Sequence, residues 1–147
     1  MRGFTLLELL VVIVIAGIMA AVVAPRFSEP SAYEARAQAE VLLMTLRSVQ
    51  SLAVARRATV YVQASASTGA VQVCADSACT QIIPTPEGDA LWLQLSGDLR
   101  LQASSNWSYD SMGRPSAAPL LTLVTASGAF SGYAVQVEAE SGYAHLQ

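Results

Sequence analysis

GFTLLELLVVIVIAGIMAAVVAP, residues 3–25, decides how the rest of the chain has to be read. Between Phe4 and Pro25 it carries one charge, the carboxylate of Glu8. As one helix, Phe4–Ala24 would be about 31 Å long, enough to cross the hydrocarbon core of a bilayer. One reading is a cleaved secretory signal peptide, with Arg2 as a thin basic region and Val22-Val23-Ala24 before the cut. Pro25 would then follow the scissile bond, which suits ordinary signal peptidase badly. Glu8 would also lie inside the apolar run, where a deep, unpaired carboxylate costs several kcal/mol. A plain membrane anchor leaves Glu8 equally awkward, since an acid at membrane depth is by default functional and needs a partner.

The stretch Gly3-Phe4-Thr5-Leu6-Leu7-Glu8-Leu9-Leu10, its apolar continuation and Pro25-Arg26-Phe27 resemble the N-terminus of type IV pilins and type II secretion pseudopilins. In that family a short basic leader ends in Gly, which matches Met1-Arg2-Gly3. The resemblance implies cleavage by a prepilin peptidase between Gly3 and Phe4, with methylation of the new amine on Phe4. It places the family's acid at Glu8 and its helix-kinking proline at Pro25. Gly17 and Pro25 are both helix-weakening residues, and local melting there would let the stem extend on assembly. Phe4 and Glu8 are i and i+4, so the new amine and the carboxylate would share one helix face. In an assembling filament Glu8 could instead meet the Phe4 amine of a neighbour and set helix register.

Beyond the apolar run the chain reads as one soluble unit with no repeat or low-complexity linker. The chain is 147 residues long, 53% hydrophobic and 13% charged, with a net charge of −3 and no Lys. Beyond Ser28 there are six Arg against ten acids, so no basic patch of the kind that tracks a phosphate backbone is expected. Ser31-Ala32-Tyr33-Glu34 is a capping-box pattern that predicts a helix start. Ala35, Ala39, Leu42, Leu46, Val49 and Ala53 form a helical apolar stripe, expected as core against a sheet, with Arg36, Glu40, Arg47 and Gln50 on a wetter side. The helix should end near Arg57. Strand patterns follow: 59–63 and 70–74 as a hairpin about Ser67-Thr68-Gly69, and Leu91–Leu95 with Leu99–Leu101 as a second about Ser96-Gly97-Asp98. Final strands are expected over 120–125, 133–139 and 143–146, separated by Ser127-Gly128, Ser131-Gly132 and Ser141-Gly142. Trp92, Trp107, Tyr109 and Tyr133 are expected in the core.

The fold class is therefore α+β, a pilin-like architecture with a long N-terminal hydrophobic helical stem packed on a C-terminal antiparallel sheet domain. The expected division is a leader at 1–3, a transmembrane and filament-core helix at 4–27, an amphipathic stem at 28–57 and a β-rich globular domain at 58–147. Residues 49–60 resemble the helix-to-strand passage of GspH- or FimT-type minor subunits, and Tyr109-Asp110-Ser111-Met112-Gly113-Arg114 is similar to their aromatic-Asp-x-x-Gly-Arg segment. Pro25-Arg26-Phe27 and the apolar run before it resemble pilins of the mannose-sensitive haemagglutinin (MSHA) pilus, which implies a minor subunit of that pilus as the nearest likeness. Cys74 and Cys79 sit where some members carry a cysteine pair, and two cysteines in an exported chain read as one disulfide.

Enzyme chemistry finds little support. His145, the only histidine, lies two residues from the end, so a Ser-His-Asp or Cys-His site is not expected. Two cysteines and one distant His fall short of a zinc set, and no phosphate loop or EF-hand spacing occurs. No cofactor, metal, nucleic acid or small-molecule substrate is expected. Three functions remain: a minor subunit of a type IV pilus, a type II secretion pseudopilin, and, ranked last, a DNA-uptake pilin. The expected partners are other pilin or pseudopilin subunits, a prepilin peptidase and the inner membrane. The expected location is single-pass in the inner membrane before assembly, then in a filament outside a Gram-negative cell.

Overall fold

The computed structural model describes residues 6–23 and 32–147. Two helices come first, α1 (Leu6–Val23) and α2 (Ala32–Arg56). Eight strands follow: β1 (Val60–Ser65), β2 (Ala70–Cys74), β3 (Leu93–Gln94), β4 (Leu99–Leu101), β5 (Ser105–Tyr109), β6 (Leu120–Thr125), β7 (Phe130–Val137) and β8 (Ala144–Leu146). They form two antiparallel four-stranded sheets, in the orders β3-β2-β1-β5 and β4-β6-β7-β8. The fold is α+β, with α2 packed on both sheets.

α2 buries one stripe, and its composition says which. Ala35, Ala39, Leu42, Leu46, Val49 and Ala53 are all at most 2% exposed, as their 3.6-residue period requires. Thr45 joins them because its hydroxyl donates back to Val41 O (2.9 Å), which satisfies it without leaving the helix. Opposite lie Val60, Val62 and Ala64 of β1, Val71 and Val73 of β2, Leu121 and Leu123 of β6, and Val135 and Val137 of β7, in one continuous core. β1 alternates buried and half-buried along its length, the pattern of a strand with one face on the core. Trp107 and Tyr109 are buried edge-to-face, with ring centroids 6.3 Å apart, while Trp92 and Tyr133 pack against the core from its margin.

The hairpin about Gly69 forms, with Ser65 paired to Ala70 and Gly69 at φ 66°. The second expected hairpin does not. Gly97, at φ 64°, turns the chain from one sheet to the other: β3 pairs with β2 through Ala70 and Gln94, and β4 pairs with β6 through Leu99 and Thr125. Ser131-Gly132, expected to separate strands, lies inside β7. Between the pairs Thr122–Ala134 and Val124–Phe130 the register shifts, and Gly132 takes φ 92° there, so the strand carries a bulge instead of ending. The Ser131 hydroxyl donates to Leu123 O (2.8 Å) across that irregularity. β5 was not anticipated at all; its Ser and Asn residues hide an alternation that buries Trp107 and Tyr109.

Apart from Glu8 in its first turn, α1 is made of apolar and small residues, so it has no continuous wet face to set against a core. Its large side chains from Leu6 to Met19 are 46–83% exposed. Among the described residues no helix is long and apolar enough to cross a membrane. The 18 residues of α1 correspond to about 27 Å of helix, a little less than a hydrocarbon core.

Candidate functional site

The N-terminal segment supplies the first candidate. Glu8 lies in the first turn of α1, exposed among Leu6, Leu7, Leu9 and Leu10, where a carboxylate faces the positive end of the helix dipole. Gly17 sits inside α1, and a side chain there would meet nothing within 4 Å. Gly3, Phe4 and Pro25 lie outside the described residues.

A second candidate joins the two sheets at the C-terminal end of α2. After β5 the chain closes a turn on Asp110, whose Oδ1 accepts the N–H groups of Met112 (2.8 Å) and Arg114 (2.9 Å). Gly113, at φ 80°, donates to Asp110 O (2.9 Å). The Gln50 carboxamide lies over this turn. Its Nε2 donates to Gly113 O (3.0 Å) and to Ser141 O (2.7 Å), so one side chain of α2 ties the turn after β5 to the turn between β7 and β8. One helical turn earlier, the Arg47 guanidinium donates twice to Ala144 O (3.1 and 3.0 Å) and also to the Tyr143 hydroxyl. It lies 4.4 Å from the Tyr143 ring centroid. Arg47 and Gln50, expected on the wetter side of the helix, are thus half-buried clamps on the second sheet. Arg36 and Glu40 do face solvent, in an ion pair of 3.0 Å. The segment Tyr109–Arg114 is a structural joint: Tyr109 fills the core and Asp110 shapes the turn.

The loop after β2 is closed in two ways. Cys74 and Cys79 form a disulfide with Cα atoms 5.1 Å apart. Inside it, Asp76 accepts from the N–H of Gln81 (2.8 Å), the N–H of Thr80 (3.0 Å) and the Thr80 hydroxyl (2.9 Å). Chiefly the Gln81 and Thr80 N–H groups hold the Asp76 carboxyl below its ordinary range, and the Arg114 N–H, seconded by Met112, does the same for Asp110. Groups with a depressed folded-state pKa add stability that is present above the unfolded pKa and lost as pH falls through the folded one. Stability should therefore be flat from neutral pH down to about 5 and decline below about 4. An Asp76→Asn, Asp110→Asn double variant, unfolded in urea across that range, should show a shallower acid decline; an unchanged decline would remove these two turns from the account.

Among the described residues no group of three or more His, Cys, Asp and Glu side chains is placed to hold a metal ion. His145 lies 3.5 Å from Glu138 across the β7–β8 pair.

Ahead of the α+β domain the described residues are the apolar helix α1, with Glu8 in its first turn. In the comparison with protein families, residues 1–24 match the prokaryotic N-terminal methylation motif. That motif is the processing signal of type IV pilin- and pseudopilin-like proteins, which are structural subunits cut by a prepilin peptidase and assembled with other subunits. No curated protein and no solved structure matches the chain.

Proposed function

We propose that this protein is a minor pilin, a structural subunit that enters or primes a type IV pilus of the MSHA kind, with its outer domain of the GspH/FimT type and an MshC-like character overall. The match of residues 1–24 to the methylation motif carries the pilin- or pseudopilin-like part of the reading; the finer part rests on the resemblances of residues 25–27, 49–60 and 109–114. In it a prepilin peptidase cuts after Gly3 and Phe4 receives the methyl group. The apolar helix holds the precursor in the inner membrane, then moves into the filament, where Glu8 meets the Phe4 amine of a neighbour. At about 4 Å and an effective dielectric near 20, such a pair is worth about 4 kcal/mol before desolvation. Gly17 and Pro25 give the stem its weak points. The exposed apolar surface of α1 supports the reading, since it needs either lipid or other helices around it.

The test is the N-terminus of protein purified from membranes. Sequencing and intact mass should place it at Phe4 with one added methyl group. A start at Pro25 or Arg26 would mean an ordinary signal peptide and would end this reading.

A type II secretion pseudopilin shares all of these features, and the neighbouring genes separate the two. The DNA-uptake reading fares worse, because counterion release needs cations and the outer part of the chain has six Arg against ten acids. The full chain should produce no measurable shift of duplex DNA at physiological salt; a micromolar, salt-sensitive shift would restore that function.

A further inference from the structure

The outward face of the first sheet carries an arrangement to which the proposed function assigns no role. On three adjacent strands the register sets Gln72 of β2, Gln63 of β1 and Asn106 of β5 side by side. With strands about 4.8 Å apart, the outer two positions are about 10 Å from each other. None of these carboxamides has a hydrogen-bond partner among the described residues, and neither has the hydroxyl of the neighbouring Tyr61. The row is not on a flat surface. Gln63 and Asn106 line both of two adjoining depressions, of about 460 and 240 Å³. The larger continues past Gln72 to Ser65 and Ser104, and the smaller past Tyr61 to Ser108. No charged side chain lines either one.

We propose that this face is a binding site for a neutral oligosaccharide, gripped by Gln63, Gln72 and Asn106. A carboxamide presents a donor and an acceptor in one plane, and a hydroxyl offers the same pair. Three carboxamides in register can bridge successive sugar hydroxyls over about the length of a disaccharide, with Ser65, Ser104 and Ser108 extending the grip. A charged ligand would find no counter-charge here, and the missing cations exclude a phosphate backbone. A peptide adding as a strand would need a free edge beside β5. Ser116 already occupies it: its N–H donates to Ser108 O (2.8 Å) and its hydroxyl accepts from the Ser108 N–H (2.9 Å). The sugar is held, not turned over.

The test uses the full chain in a detergent without a sugar headgroup, titrated with maltohexaose, cellohexaose and chitohexaose, and with hexagalacturonate as a charged control. Side-chain amide signals of Gln63, Gln72 and Asn106 should shift in 1H–15N spectra for at least one neutral sugar, with a Kd of about 1 mM or tighter. Gln63→Ala and Asn106→Ala should each weaken binding about tenfold at unchanged melting temperature. Gln102→Ala, in the segment after β4 of the other sheet, should leave it alone. The proposal is overturned if no neutral sugar moves these signals up to about 10 mM. It is equally overturned if the Ala variants bind as well as wild type, or if the galacturonate binds best. Protection of the same amides by another protein chain in place of sugar would also overturn it.

Discussion

Gly142→Ala is expected to destabilise the outer domain by about 3–5 kcal/mol, the largest effect of an added methyl group among the described glycines. Gly142 is buried at φ 71°, in the left-handed region that a Cβ disfavours. A Cβ built there would lie 2.2 Å from Gly113 O, 2.9 Å from Gln50 Nε2 and 3.2 Å from Pro115 Cδ. The first contact is with backbone and cannot be relieved by turning a side chain. Relief would have to separate the turn after β5 from the turn before β8 and break the bonds from Gln50 that hold them. Gly128 provides the control: its φ is 84°, but nothing lies within 4 Å of its Cβ position. Gly128→Ala should lose only the conformational part, about 1 kcal/mol. In thermal melts Gly142→Ala should fall about 10 °C or more below wild type, and well below Gly128→Ala. Equal melting points for the two variants would show that the approach of the two turns is unimportant to stability.

Glu8→Ala should leave cleavage and insertion intact and abolish entry into filaments. The change makes α1 more apolar, so insertion should become easier, by up to a few kcal/mol where the acid is charged and buried. What disappears is the one charge between Phe4 and Pro25, and with it the group able to answer a neighbour's Phe4 amine. Lipid tails are as apolar as Leu, so burial alone gives these helices no preferred register. Glu8→Gln separates charge from hydrogen bonding and should assemble poorly if the ion pair dominates. The quantity to measure is the ratio of this protein in sheared filaments to that in the inner membrane. If the Ala variant reaches filaments at the wild-type ratio, Glu8 is not the register device.

What could be read from the residues and what could not divides along physical lines. The α2 stripe was legible because a helix buries residues at fixed local spacing, and all six expected positions are buried. The β1–β2 hairpin was legible for a similar reason, since alternation and Gly69 lie within a few residues of each other. The pairing of β3 and β4 was not. The Leu-rich strands around Ser96-Gly97-Asp98 carry the signals of a hairpin, and only the distant β2 and β6 decide that they part. Arg47 and Gln50 escaped for a different reason. Their main acceptors are the backbone carbonyls of Ala144, Gly113 and Ser141, 97, 63 and 91 residues away. A carbonyl has no residue type, so no complementary letter marks the partner. The carboxamide row was visible only as polar positions at alternate places on separate strands; their adjacency is a property of sheet register. The N-terminal motif, by contrast, is linear: residues 1–24 match the methylation motif as consecutive residues, and the proposed roles of Gly3, Phe4 and Glu8 rest on that stretch alone.

The strand lengths at the sheet margins bear on how such a molecule tolerates crowding. β3 has two residues, β4 and β8 have three each, and β5 is flanked by Pro115 and Ser116. An unpaired strand margin is a template for another chain, and long ones seed amyloid-like stacking. Here each margin is too short, or too well occupied, to recruit one. Copies held at high density can therefore touch repeatedly without zipping into a common sheet, and whatever order they adopt has to come from helices and side-chain surfaces.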